Sequence, residues 1–189
     1  FVVNDNLDAK ENQDFTIECR VKTSTAGDFS IIGNKDWYSG YNKGFVFSFK
    51  YPSGPEWKVN IGDGINRVDI NTGGSIADDE WHTLSVTFDR DGFMKMYEDG
   101  LLLDSLSIAL IGDITTNSGL FFGADINQDY DYMGSISEVR VWNSVLSGER
   151  LSELLTQNYL RTAACKFYRY VRRYTGGIRI SGRIRGRIC

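Results

Sequence analysis

The chain has 189 residues, 41% of them hydrophobic and 13% aromatic, with a formal net charge of −4; that length supports one well-buried core and not two. The small net charge hides a division: residues 1–160 hold 12 basic and 25 acidic side chains, a charge of −13, while residues 161–189 hold 9 basic and no acidic ones. An acidic domain, 1–160, followed by a cationic tail, 161–189, disfavours nucleic acid as a partner of the body, and no apolar run approaches the roughly 20 residues of a transmembrane helix.

Along the body, short segments rich in Val, Ile, Phe and Tyr alternate with Gly, Asn and Asp clusters, which predicts an all-β sandwich or barrel. The first strong one, FTIECRV, alternates Phe15, Ile17, Cys19 and Val21 against Thr16, Glu18 and Arg20, so Cys19 is expected inside as a small hydrophobe. FSIIG, GFVFSFK and WKVNIG follow. HTLSVTFD, FMKMYED and LLLDSL, joined at Asp91-Gly92 and Asp99-Gly100, read as a three-stranded meander over 83–106. Both dipeptides are expected to supply the positive φ of tight hairpins. GLFFGA and GSISEVRVW are the last strands. SGERLSELLTQN is the one helix expected, with Ser147 as cap, Glu149 in the first turn and Leu151, Leu154 and Leu155 as an apolar stripe.

Three loops carry candidate chemistry. GNKDWYSGYNKGF, residues 33–45, groups aromatic rings with amides and a carboxylate, the parts of a sugar site: Trp37, Tyr38 and Tyr41 to stack on a pyranose, Asn34, Asp36 and Asn42 to take its hydroxyls. The alternative is a polar surface loop whose Trp packs on the body. WKVNIGDGINRVDI offers Trp57, Asp63 and Arg67, which complete a ligand cleft if the turn at Asp63 lies at the same end of the sandwich; alternatively Arg67 only pairs with Asp69. DINQDYD places oxygens at alternate positions, Asp125, Asn127, Asp129 and Asp131, with Asp28 as an outlying candidate, and is expected to hold Ca²⁺ or else to be a solvated acidic loop. It is not an EF-hand, since Tyr130 and Ile136 stand where that loop needs Gly and Glu. His82, the only histidine, has no nucleophile beside it in sequence, and Glu98-Asp99 reads as hairpin chemistry, so no enzyme activity is expected.

FTIECRVKT, EWHTLSVTFDRDG, MYEDG and GSISEVRVWNSVLS, in that order, resemble the laminin G-like branch of the concanavalin A-like jelly rolls over residues 1 to about 155. The resemblance implies a jelly-roll sandwich that binds a glycan or glycoprotein, often with one calcium ion, in a secreted protein. It also implies a further strand ahead of Phe1-Val2-Val3, without which a sheet edge would be open.

The tail alternates Ile178, Ile180, Gly182, Ile184, Gly186 and Ile188 against Arg179, Ser181, Arg183, Arg185 and Arg187, a strand pattern following the turn signal Thr175-Gly176-Gly177. Pairing Cys165 with Cys189 as a disulfide sets Tyr174, Tyr170 and Tyr168 against Ile180, Ile184 and Gly186, and collects Arg169, Arg173, Arg179, Arg183, Arg185 and Arg187 on the other face. Such a hairpin resembles disulfide-closed cationic antimicrobial peptides and implies contact with anionic membrane or lipopolysaccharide. A disulfide fits an extracellular setting. With no initiator Met and no recognisable leader, the sequence reads as a processed or excerpted product. Three functions stay open: a calcium-dependent glycan-binding module, the precursor of a membrane-active peptide masked by its acidic carrier, and a homo-oligomeric assembly subunit in which the hairpin covers a sheet edge.

Overall fold

The computed structural model describes residues 2–3, 12–38, 40–50, 56–71 and 74–160. The proposed Cys165–Cys189 hairpin and its arginine face lie outside the described residues. In chain order the elements are β1 (Val2–Val3), β2 (Phe15–Lys22), β3 (Phe29–Gly33), β4 (Gly44–Lys50), β5 (Glu56–Gly62), β6 (Arg67–Ile70), β7 (His82–Phe88), β8 (Phe93–Glu98), β9 (Leu101–Ser107), β10 (Leu120–Phe122), β11 (Ser135–Trp142) and α1 (Gly148–Leu160). They form a sandwich of two antiparallel sheets, ordered β1-β10-β3-β4-β5-β6 and β11-β2-β7-β8-β9, the jelly-roll-like arrangement expected from the sequence. The meander β7-β8-β9 is present, and β1 pairs with β10 through Val2–Phe121 and Val3–Leu120.

Alternation in the strands builds the core. Phe45, Phe47 and Phe49 of β4 face inward from one sheet, and Phe15, Ile17, Cys19 and Val21 of β2 with Leu84, Val86 and Phe88 of β7 face them from the other. Phe15 stacks on Phe88 with centroids 4.2 Å apart, and Phe45 reaches across the sandwich to lie 5.7 Å from both. Each buried ring removes apolar area worth roughly 2–3 kcal/mol from water. Cys19 is buried as expected, and burial pushes its thiol far above the usual range.

The two expected tight turns differ. Asp99 and Gly100 are both left-handed, with φ of 48° and 80°, the two-residue connection that matches strand twist. A Cβ at Gly100 would lie 2.8 Å from Leu155 Cδ1, the tip of an α1 side chain, so the turn packs directly against the helix. Asp91-Gly92 is a correction: neither residue has positive φ. Gly92 N–H donates to Asp89 O (3.0 Å) and Asp89 N–H to Phe93 O (3.1 Å), so the connection is a four-residue loop that an ordinary right-handed turn can close.

Segment 143–147 and α1 cover the outer face of the second sheet. Thr16 Oγ1 donates to Ser144 O (2.7 Å) and accepts from Leu146 N–H (3.0 Å), while Ser147 Oγ accepts Arg150 N–H (3.2 Å) and caps α1. Leu151 is fully buried. Beneath lies a charged pair, Arg140 Nη1 to Glu18 Oε1 at 2.7 Å, with Glu18 also accepting from Ser85 (3.1 Å).

Candidate functional site

The loop between β3 and β4 is anchored through its first two residues, which are turned inward. Asn34 Oδ1 accepts Phe45 N–H (2.8 Å), and Lys35 Nζ donates to Gly40 O (2.7 Å) and Asn60 Oδ1 (2.5 Å). Asn34, expected to take sugar hydroxyls, is therefore buried scaffold, since its carbonyl satisfies a backbone donor that would otherwise be orphaned. Lys35 is fully buried too, and burial, helped by the Arg67 charge, lowers its ammonium to about 8. Asp36 Oδ1 accepts Tyr38 N–H (2.7 Å) and shapes the loop tip. The tip presents Tyr38, 79% exposed, and Tyr41, 58% exposed, with Asn42 also exposed.

The β5–β6 turn lies against this loop, at the same end of the sandwich. Gly64 N–H donates to Tyr41 O (2.8 Å). Asp63 is the organiser of the turn: Oδ1 accepts the N–H groups of Ile65 (2.7 Å) and Asn66 (2.6 Å), and Oδ2 accepts Asn66 Nδ2 (3.1 Å) and Gly112 N–H (2.7 Å). Partial burial opposes ionisation of Asp63, yet the bonds from Asn66 and Gly112 outweigh it and hold the carboxyl well below the usual range. Its expected place in the ligand cleft is corrected to a structural one.

Loop, turn and the segment after β9 enclose a cleft of about 420 Å³. Tyr41 and Arg67, both expected, line it; so do Ile65, Val68, Leu110 and Ile111, with Asn66 and Ser107 as polar members. Arg67 is fixed by two bonds to Asp69, Nε to Oδ2 at 2.5 Å and Nη2 to Oδ1 at 2.6 Å, so it pairs with Asp69 and lines the cleft at once. Asn60 Nδ2 also donates to Asp69 Oδ1 (2.8 Å), which continues the chain from Lys35. Ile65 and Leu110 are 81% and 84% exposed. The available signal for Ile65 was an apolar residue standing inside a polar turn, GDGINR; Leu110 lies in the apolar run IALI and carried no such signal.

Trp37 points away from this cleft. Its ring stacks on Tyr130 with centroids 4.3 Å apart and planes 20° from parallel, Tyr38 follows at 6.3 Å and 24°, and the Lys58 ammonium lies 5.3 Å from its centroid. Tyr130, missed from sequence, is held at φ 55° in the loop between β10 and β11. Buried Asp125 organises that loop: Oδ1 accepts the N–H of Asn127 (2.9 Å) and Asp129 (3.1 Å), and Oδ2 accepts Trp37 N–H (3.2 Å). The expected calcium set changes accordingly. Asp125 is engaged by backbone donors, Asn127, Asp129 and Asp28 are exposed, and Asp131 is half-buried with Ser30 bridging to it. Among the described residues, the His and carboxylate groups whose donor atoms converge within 4.8 Å are His82 with Glu98 and Asp99, and Asp14 with Asp89 and Asp91, not this loop.

Trp57 is the remaining correction. It is fully buried in the core, its Nε1 donating to Glu98 Oε2 at 2.6 Å, because the β5 alternation that faces Val59 and Ile61 inward faces Trp57 inward too.

A family model described as the concanavalin A-like lectin/glucanases superfamily matches residues 2–152. No curated protein matches the chain. Among solved structures, the binding domain of Paraclostridial Mosquitocidal Protein 1 is 17% identical with a TM-score of 0.64, covering 84% of this chain and 41% of that one. A candidate carbohydrate-binding protein from Bacteroides ovatus is 18% identical with a TM-score of 0.62, over 80% and 43% of the two chains. The binding domain of botulinum neurotoxin serotype D is 16% identical with a TM-score of 0.63, over 87% and 41%. This chain thus spans less than half the length of these structures.

Proposed function

The chain belongs to the concanavalin A-like lectin/glucanase superfamily, and from that premise we propose that it is a binding module for a glycan or glycoconjugate, using the end of the sandwich that carries the β3–β4 loop and the β5–β6 turn. The observation that carries the reading is the exposed Tyr41 on the wall of a cleft whose sides are fixed by buried polar anchors, with the exposed Tyr38 on the same loop. Pyranose rings have an apolar face that an aromatic ring covers at low entropic cost, and a rim of hydroxyls that needs placed donors and acceptors. Tyr41, Ile65 and Leu110 supply apolar surface; Asn66, Ser107 and the Arg67 guanidinium supply polar partners. Arg67 needs no reordering, because Asp69 already holds it, so little conformational entropy is lost on binding.

The names of the structural relatives, binding domains of toxins and a candidate carbohydrate-binding protein, support the same reading. A glycan array probed with the full chain tests it. Expected is binding to a defined glycan subset that falls at least tenfold in Tyr41→Ala and in Arg67→Met, both at the cleft. Absence of binding to every glycan, or binding indifferent to both substitutions, would sink the proposal.

A further inference from the structure

At the opposite end of β5 from the cleft, three side chains converge: His82 at the start of β7, and the neighbours Glu98 at the end of β8 and Asp99 in the β8–β9 turn. One donor atom from each lies within 4.8 Å of the others. His82 Nδ1 is 2.9 Å from Asp99 Oδ2. Each of the three is also held from behind by a group outside the trio. Glu98 Oε2 accepts the indole N–H of fully buried Trp57 (2.6 Å) and Gly74 N–H (3.1 Å), Asp99 Oδ1 accepts Thr83 N–H (2.8 Å), and His82 Nε2 lies 3.2 Å from both Asp78 oxygens.

From this arrangement we infer that His82, Glu98 and Asp99 form a site for a borderline divalent cation of the Zn²⁺ class. One imidazole nitrogen and two carboxylate oxygens bring a charge of −2, which suits a divalent ion, and the imidazole selects Zn²⁺, Co²⁺ or Ni²⁺ over the oxygen-seeking Ca²⁺ and Mg²⁺. Tetrahedral bonds of about 2.0–2.1 Å place neighbouring ligand atoms about 3.3 Å apart, so the His82–Asp99 pair at 2.9 Å is already near its bound spacing and Glu98, within 4.8 Å, is the ligand that closes inward. The backing contacts are those a metal site requires: a carboxylate on the far imidazole nitrogen fixes tautomer and ring orientation, and hydrogen-bonded carboxylates keep one oxygen turned to the ion. Asp99 is half exposed at its side chain, which leaves an entry path and a fourth position for water or an external donor. Occupancy would tie the β6–β7 connection, through Asp78 and Gly74, to the β8–β9 turn.

Calorimetric titration of metal-stripped full chain, with Cys165 and Cys189 either oxidised to their disulfide or alkylated so that thiols do not compete, tests the inference with Zn²⁺ and, in parallel, Ca²⁺. Expected is one Zn²⁺ per chain, a loss of at least tenfold in His82→Gln and Glu98→Gln, a loss of ~10-fold in Asp78→Asn through the outer contact, and no Ca²⁺ competition. Co²⁺ should report an imidazole ligand by its visible absorption, absent in His82→Gln. Asp99→Asn, which keeps an acceptor for Thr83 and tolerates the left-handed turn, serves as the variant that folds; its affinity should fall as well. No Zn²⁺ bound by the parent chain, or affinity unchanged in Asp99→Asn and His82→Gln, overturns the site.

Discussion

Lys35 Nζ meets Asn60 Oδ1 at 2.5 Å, a contact that ties the β3–β4 loop to the middle of a sheet 25 positions along the chain. Asn60 in turn donates to Asp69, and Asp69 holds Arg67 at the cleft, so a buried lysine and a cleft arginine share one polar chain. The cation of that chain is desolvated, which makes its protonation a stability term.

Lys35 therefore predicts a rise of stability with alkaline pH. Its folded-state value is depressed to about 8 by burial, against about 10.4 in the unfolded chain. Between those values the unfolded state binds more protons, so stability grows as pH rises. Urea unfolding at pH 7.5 and 10 should show a gain on the order of 1–3 kcal/mol in the parent chain relative to Lys35→Met, which lacks the titrating group; equal pH profiles for the two would contradict it.

Asp63→Ala should release two segments at once. Four donors, from Ile65, Asn66 and Gly112, lose their acceptor. The expected cost is ~1–3 kcal/mol, and amide exchange at Gly112 should accelerate along with that at Asn66. Because the folded Asp63 titrates below the unfolded carboxyl, its contribution is present above about pH 4 and is lost as the solution is acidified, so the penalty of the substitution should shrink in acid.

Asp125→Ala should act on a tryptophan far away in sequence. With Asp125 gone, the N–H groups of Asn127, Asp129 and Trp37 are unpaired, and the loop holding Gln128 and Tyr130 at positive φ loses its brace. Near-UV circular dichroism from the Trp37–Tyr130 stack should collapse, with a stability loss of ~2 kcal/mol. Measuring the parent chain in Ca²⁺ and in EDTA gives the companion result: equal melting temperatures if backbone donors satisfy Asp125, a higher one in Ca²⁺ if an ion displaces them.

Arg140→Leu should be strongly damaging on the second sheet. It leaves Glu18 buried and ionised without its cation, at an expected cost of ~3–5 kcal/mol, which adding Glu18→Gln should partly restore. Burial already raises the Glu18 carboxyl despite Arg140. A carboxyl raised in the folded state favours folding at low pH, so in Arg140→Leu stability should fall as pH rises from 5 to 8.

The strands were legible because alternation is local. Phe15 to Val21 and Phe45 to Phe49 declare their inward faces in the order of the letters, and Asp99-Gly100 declares its turn by needing two positive φ angles. Asp91-Gly92 looked the same and is not, because a four-residue connection relaxes that demand. Polar residues were harder. Asn34, Asp63 and Asp125 have the chemistry of ligand contacts, yet each satisfies backbone N–H groups, and a sequence does not show which donors a loop leaves unpaired.

By itself the sequence determined the all-β body, the inward side of the alternating strand Phe15–Val21, the helix with its cap and the split in charge between residues 1–160 and the cationic tail, since all of these follow from periodicity and composition. Only the tertiary structure decided which loops share an end of the sandwich. That placement sends Tyr41 and Arg67 to one cleft with Ile65 and Leu110, turns Trp37 away onto Tyr130, buries Trp57 against Glu98, and brings His82 at the start of β7 to Glu98-Asp99 at the β8–β9 turn. Such neighbours are set by sheet order and register, which depend on pairings between distant parts of the chain rather than on any local pattern.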